Sequence, residues 1–173
     1  MKYITTIICF SVLALFMSCG NSTSGSSSDD SRELIPEPDK DLRLKAEMNV
    51  RLNEIEKYVM DTKNIASSSM GMEVIDMGED ALWTLIDFFN DTTELKMYSS
   101  CQRRMITKGE LAIILADRIK GMPYALLTNI QNCTMELCDN NDNGIEYYLW
   151  AIKEMEVGEF RKRYIEWLVD SKS

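Results

Sequence analysis

The sequence contains no histidine, and this absence excludes several kinds of site. Without an imidazole there is no base for a Ser-His-Asp or Cys-His arrangement and no histidine ligand for zinc. Basic residues are also scarce, because 19 Lys and Arg face 28 Asp and Glu and the formal net charge is −9. Since so acidic a surface repels a phosphate backbone, we predict that the chain binds no nucleic acid. We also predict no cofactor.

The apolar run at the amino terminus is too short to span a bilayer as a helix. It covers residues 4–17, about 14 residues, and follows a cationic start at Lys2, which is typical of a secretory signal. The run ends in Ser18, Cys19 and Gly20, and this junction resembles the lipobox of bacterial lipoproteins cut by signal peptidase II. The resemblance implies that residues 1–18 are a signal peptide and that acylated Cys19 anchors the chain in a membrane.

Residues 19–38 predict a flexible tether between this anchor and a folded domain. They are rich in Ser, Gly and Asp and cannot bury apolar area, and as a random coil they span on the order of 24 Å. Pro36 and Pro38 mark the boundary to a single domain over residues 39–173. Gly20 resembles the outer-membrane sorting signal of Gram-negative lipoproteins, and the leader and tether resemble those of Bacteroidetes lipoproteins. These resemblances imply a cell-envelope protein at the outer membrane, with the periplasmic and surface faces both open.

The domain is predicted to be all-α. From residue 39 onward apolar residues recur at spacings of three and four, with no clean alternation over the length of a strand. A long amphipathic helix is predicted over residues 39–61, and Thr107 with Glu110 forms a capping box for a later helix. Residues 74–91, with a glycine turn between two helices, resemble a HEAT-type repeat. An irregular helical bundle and a short HEAT-like stack of antiparallel helix pairs both remain open.

A helix predicted over residues 145–155 is apolar on two faces. One face fits the core, and the other carries Tyr147, Trp150 and Ala151, with Glu154 on the same helix. Tyr and Trp are favoured anchors at interfaces because they bury much area with few rotatable bonds. We therefore predict these four residues as a candidate surface for a protein partner. The alternative is that the helix is sandwiched between neighbouring elements.

The segment at residues 139–144 matches the first half of a calcium loop, with Asp139, Asn141 and Asn143 as alternate oxygen ligands and Glu146 as a further one. The twelfth position of that loop is Trp150 where a bidentate Glu is needed. A helix cap formed by Asn143 or Asp142 explains the same residues more simply. We therefore predict no metal site and keep the calcium loop as an alternative.

Three cysteines remain besides Cys19, namely Cys101, Cys133 and Cys138. An oxidising envelope permits a disulfide, and the spacing of Cys133 and Cys138 suits a bridge across a turn. Cys101 pairs equally well with either of them on sequence grounds, and three buried thiols are a further alternative.

The combined pattern predicts a lipid-anchored envelope protein whose acidic helical domain binds a protein partner, as an assembly factor or an immunity-type inhibitor. Its acidity favours a basic patch on that partner, and the sequence assigns no oligomeric state. Two alternatives are a carboxylate-dependent envelope glycan hydrolase and a small-ligand or calcium-binding lipoprotein. A shallow aromatic patch ringed by acids would favour partner binding, whereas a cleft with two convergent carboxylates would favour the hydrolase.

Overall fold

The folded part of the chain consists mostly of helices, as the periodicity predicted. A computed structural model describes residues 40–131, 138 and 142–171; the signal peptide, Cys19 and the tether lie outside these residues. The α-helices are α1 Lys40–Tyr58, α2 Ser69–Asp76, α3 Glu79–Ile86, α4 Lys108–Ile119, α5 Tyr124–Thr128, α6 Leu149–Glu154 and α7 Val157–Asp170. The shorter elements are 3₁₀ helices at Thr62–Ser67 and Gly144–Tyr148 and the strands β1 Glu94–Ser99 and β2 Arg104–Thr107.

The prediction of a purely all-α domain is wrong, because β1 and β2 pair as an antiparallel hairpin. Residues along β1 alternate between exposed and buried, and Leu95, Met97 and Ser99 point inward. The third inward position is a hydroxyl and Tyr98 stands on the solvent side, 40% exposed. The hydropathy pattern of the sequence therefore does not reveal the strand, although exposed and buried residues alternate along its whole length.

Helix α4 is the centre of the core. Every residue from Leu111 to Asp117 is buried, and α4 is packed by α2, α3, β2 and the Gly144–Tyr148 helix. The amphipathic helix predicted over residues 39–61 has a buried apolar face from the third turn of α1 onward, at Met48, Leu52 and Ile55. Residues 40–47 are all exposed, so the first two turns of α1 project beyond the core.

The start of α4 is fixed by the predicted capping box, which is confirmed. The Thr107 hydroxyl accepts from the amide of Glu110 at 3.2 Å, and the Glu110 carboxylate accepts from the amide of Thr107 at 2.8 Å. The guanidinium of Arg104 donates through both terminal nitrogens to the same carboxylate. A Cβ on Gly109 would lie 2.3 Å from the carbonyl oxygen of Phe89. Glycine is therefore required where α4 begins against the loop after α3.

Aromatic contacts attach α7 to the core. Phe160 and Tyr164 are fully buried and pack on Phe89, with ring centroids 6.0 and 5.3 Å from it. Such tilted pairs stabilise by about 0.5–1.5 kcal/mol beyond the area they bury. This last helix therefore docks on the core through Phe160, Tyr164 and Leu168, which are all buried.

Candidate functional site

The surface predicted around Tyr147 and Trp150 is divided between core and solvent. Trp150 is 47% exposed and Glu154 is exposed, but Ala151 is 3% exposed, so its assignment to the surface is wrong. Tyr147 is half-buried and meets the ring of Tyr148 edge-on at 5.4 Å. The physical reason is that residues 144–148 form a 3₁₀ helix and α6 begins only at Leu149. Because a 3₁₀ helix has three residues per turn, an α-helical wheel drawn over residues 145–155 assigns side chains to the wrong faces.

The described members of the candidate calcium loop lie inside the domain and bind each other. The Asn143 amide nitrogen donates to Glu146 Oε1 at 2.9 Å and to the carbonyl oxygen of Thr62 at 2.9 Å. Glu146 Oε2 accepts from the hydroxyls of Thr62 at 2.9 Å and Ser99 at 2.5 Å. Asn143 occupies the N-cap position but makes no side-chain cap bond, so the capping role predicted for Asn143 is wrong. These four residues, called here the Glu146 network, connect both 3₁₀ helices to β1.

Asp139 and Asn141, the other ligands of the candidate calcium loop, lie outside the described residues. Over residues 40–131, 138 and 142–171, no three His, Cys, Asp or Glu side chains group closely enough to hold a metal ion. In the same part of the chain, none of the helices combines the length and apolar character that crossing a membrane requires.

Cys138 forms a disulfide with Cys101, with their Cα atoms 5.2 Å apart. This spacing is normal for a disulfide, and because the sulfur of Cys138 is used in this bond, the candidate Cys133–Cys138 bridge is wrong. Cys133 lies outside the described residues. Next to the bridge, Gln102 donates from its backbone to the Ser99 hydroxyl at 3.1 Å and from its side chain to the backbone oxygen of Glu146. The hairpin turn is therefore attached to the Glu146 network as well as to Cys138.

The buried carboxylates of the described chain, Asp117 and Glu146, do not form a catalytic pair. Asp117 accepts from the amide of Met122 and the hydroxyl of Tyr124, both at 2.9 Å. Burial raises the pKa of Asp117, and it also raises the pKa of Tyr124, together with the negative charge of Asp117. Each carboxylate is held by bonds to its own surroundings, and neither lines a cavity described here. The acidic pairs Glu79 with Asp80 and Glu154 with Glu156 are exposed on helix surfaces or ends.

A groove of about 640 Å³ lies between α1 and α3. Helix α3 turns Ala81, Leu82, Leu85 and Ile86 into the core. The opposite side of α3 lines the groove with Asp80, Trp83, Thr84 and Asp87. Residues of α1 line the facing wall. The lining residues are Lys40, Asp41, Leu44, Glu47, Met48, Arg51, Met77, Asp80, Trp83, Thr84 and Asp87.

The floor of the groove is apolar and open to solvent. Trp83 is 43% exposed, and Leu44 and Met77 are each 38% exposed.

The rim of the groove is acidic, with four carboxylates against two cations. Arg51 is engaged by Glu73 at 3.0 Å, and Asp87 is engaged by Arg161 at 3.2 Å. Glu47 and Asp80 form no ion pair with the rest of the described chain. The groove therefore combines one exposed tryptophan and an apolar floor with a rim of net negative charge, an arrangement that favours binding of a basic partner.

The sequence analysis assigned no role to Trp83. The available signal was the second stripe of α3, which lies opposite its core face and comprises Asp80, Trp83, Thr84 and Asp87.

Comparison with known proteins adds no analogy, since no protein-family model, no curated protein and no solved structure matches this chain. The lining residues of the groove are thus the basis for a functional proposal.

Proposed function

We propose that this chain is a lipid-anchored envelope protein that binds a basic helix of a protein partner in the α1–α3 groove. The observation that carries the proposal is the exposed floor of Trp83, Leu44 and Met77 inside a ring of carboxylates. The floor offers apolar area of the kind that dominates interface energetics. The ring attracts positive charge and speeds encounter.

A helix is the occupant that best fits the shape of the groove. The groove is walled by one stripe from each of two helices, and an amphipathic helix packs its apolar face into such a gap. An apolar face with flanking Lys or Arg would meet the floor and the acidic rim together.

The lipobox resemblance at Cys19 supports the anchor, and Gly20 supports the outer membrane as its location. Lys40 is the first residue of α1 and also lines the groove. The groove therefore includes the residue at which the proposed tether would join the domain. A partner within the envelope would be within reach of this position.

For the architecture, we propose an irregular helical bundle in preference to a HEAT-like stack. The hairpin separates α3 from α4 along the chain, and 3₁₀ helices precede α2 and α6. A repeat stack would need successive antiparallel helix pairs without such interruptions. The glycan-hydrolase alternative has less support, because the buried carboxylates Asp117 and Glu146 are each held by separate hydrogen-bond partners.

Photo-crosslinking in native envelopes tests the proposed groove. A photo-reactive amino acid replaces Leu44 in the full chain, and the same amino acid replaces Trp150 in a matched control. We expect a specific protein adduct from position 44 that is weakened by salt and is lost when Trp83→Ala and Asp80→Asn are added. Equal adducts from both positions, or an adduct at position 44 that is indifferent to Trp83, would contradict the proposal.

The anchor is tested separately by Cys19→Ala. We expect the variant to leave the membrane fraction, because Cys19 is the residue that the lipobox resemblance marks for acylation. A variant that stays fully membrane-bound would remove the lipoprotein assignment without affecting the groove.

A further inference from the structure

An exposed apolar surface lies on the outer side of the β1–β2 hairpin. Tyr98 and Met105 are opposite each other in the register of the hairpin, and they are 40% and 44% exposed. The amide of Tyr98 donates to the carbonyl oxygen of Met60 at 2.9 Å, so the chain at Met60 runs beside β1. Met60 is 70% exposed, and Tyr58, two residues before it, is 65% exposed. These four residues are called here the hairpin face.

The hairpin face is large for the surface of a single chain. At roughly 200 Å² for a large side chain, the exposed fractions of these four residues leave on the order of 400 Å² open to solvent. Exposed patches of this size are often interaction sites. A standard interface takes about 800 Å² from each partner, and somewhat more than half of that area is apolar. The hairpin face therefore supplies most of the apolar area that one side of such an interface needs.

The edges of the hairpin are already bonded, which leaves its face for a partner. The carbonyl oxygen of Met105 accepts from the Arg104 guanidinium at 2.9 Å, and the amide of Thr107 donates to Glu110 at 2.8 Å. On the opposite edge, β1 is bonded to the carbonyl oxygen of Met60. Because strand addition needs free backbone groups along an edge, a partner would pack on the hairpin face instead.

The charge around the hairpin face differs from that of the rest of the chain. Residues 54–63 and the hairpin, residues 94–107, together contain five basic side chains and four acidic ones. The whole chain has a net charge of −9, so its excess of negative charge lies outside these two segments. Two copies of so acidic a chain repel each other through most of their surface. At the hairpin face two copies can approach without that repulsion.

We propose that the hairpin face is a homodimer interface, in which two copies of this chain pack face to face about a two-fold axis. An interface of this symmetry uses the same patch on both copies. The tyrosines and methionines of one copy would therefore cover those of the other. The hairpin face shares no residue with the lining of the α1–α3 groove, so this proposal and the function proposed for the groove can fail separately.

Photo-crosslinking between two differently tagged copies tests the proposal. Both copies are full chains expressed together, and a photo-reactive amino acid replaces Met105. We expect an adduct of twice the chain mass that carries both tags. The same amino acid at Trp150, which is similarly exposed at 47%, is the matched control and should give no such adduct. An adduct between position 105 and a different protein, or a doubly tagged adduct no stronger than that of the control, would overturn the proposal.

Charged substitutions assign the contact to the hairpin face. Tyr98→Glu and Met60→Glu each place a carboxylate in the apolar patch, and each should reduce the doubly tagged adduct at least about tenfold. Trp150→Glu makes the same change outside the hairpin face and should leave the adduct unchanged. All three positions are exposed, so the thermal midpoint of each purified full chain, followed by circular dichroism, should stay near that of wild type. An adduct that survives both Tyr98→Glu and Met60→Glu would overturn the proposal.

Discussion

Replacing Glu146 with alanine should cost a large part of the stability of the domain. The fully buried carboxylate accepts hydrogen bonds from Thr62 at 2.9 Å, Ser99 at 2.5 Å and Asn143 at 2.9 Å. A hydrogen bond to a charged acceptor contributes about 1.5–3 kcal/mol, and a buried donor left without an acceptor costs about 1–3 kcal/mol. Removing the buried charge recovers part of its desolvation cost. We therefore expect Glu146→Ala to lower the free energy of unfolding by about 3–5 kcal/mol.

The measurement is denaturant unfolding followed by helical circular dichroism, with the slope of the transition compared between variants. Glu154→Ala, at an exposed position on α6, is the control and should stay within about 0.5 kcal/mol of wild type. Thr62→Val should cost less in the Glu146→Ala background than in wild type, because the two residues share a bond. A loss below about 1 kcal/mol for Glu146→Ala, or full additivity with Thr62→Val, would refute a stabilising role for the network.

Three further predictions concern the disulfide, a buried acid and a glycine. Converting Cys101 and Cys138 to alanine removes a disulfide that spans a sequence separation of 37. By chain entropy, the free energy of unfolding should fall by roughly 3–4 kcal/mol, as measured by thermal unfolding. A wild-type unfolding midpoint that is insensitive to reductant would contradict this. Burial raises the pKa of Asp117 in the folded state, so its contribution to stability is complete below the ordinary Asp pKa and is lost as pH rises through the raised pKa. Wild type should therefore lose stability relative to Asp117→Asn over that window, and a pH-independent difference in urea unfolding would contradict it. Gly109→Ala places a Cβ 2.3 Å from the Phe89 oxygen and should cost about 1–3 kcal/mol, whereas an unchanged unfolding midpoint would show that the backbone relaxes.

The helices were predictable because their signals are local. The spacing of Met48, Leu52 and Ile55 and the pairing of Thr107 with Glu110 both lie within a few residues of chain. Each depends on the geometry of one helix, so the sequence contains all that is needed to recognise it.

The hairpin and the buried network were not predictable in the same way. Ser99 occupies an inward strand position because it bonds to Glu146, 47 residues away. In the sequence alone, Ser99 interrupts the apolar alternation expected of a strand, and Glu146 is a candidate surface residue or calcium ligand. Only the tertiary contact gives each of them its role.

The candidate sites depend on contacts between distant segments as well. The second stripe of α3 lines a groove only because α1 lies opposite Trp83. Trp150 was recognised as exposed, but Ala151 was misplaced because the preceding turn is a 3₁₀ helix. Local periodicity thus identifies the apolar and polar faces of a helix. Which residues each face contacts depends on the tertiary fold.

The unpacked beginning of α1 determines how a mechanical force would enter the domain. In a chain held to a membrane through its tether, tension reaches the fold at Lys40 and meets the first fully buried residue of α1 at Met48. Between these points the contacts of α1 include those of Lys45, whose Nζ lies 3.9 Å from the Asp87 carboxylate and 5.9 Å from the Phe88 ring. Such exposed contacts are weak, so a pull would unwind this wall of the groove before it strained the core. A partner helix bound between α1 and α3 would stabilise the first two turns of α1 and so resist that unwinding.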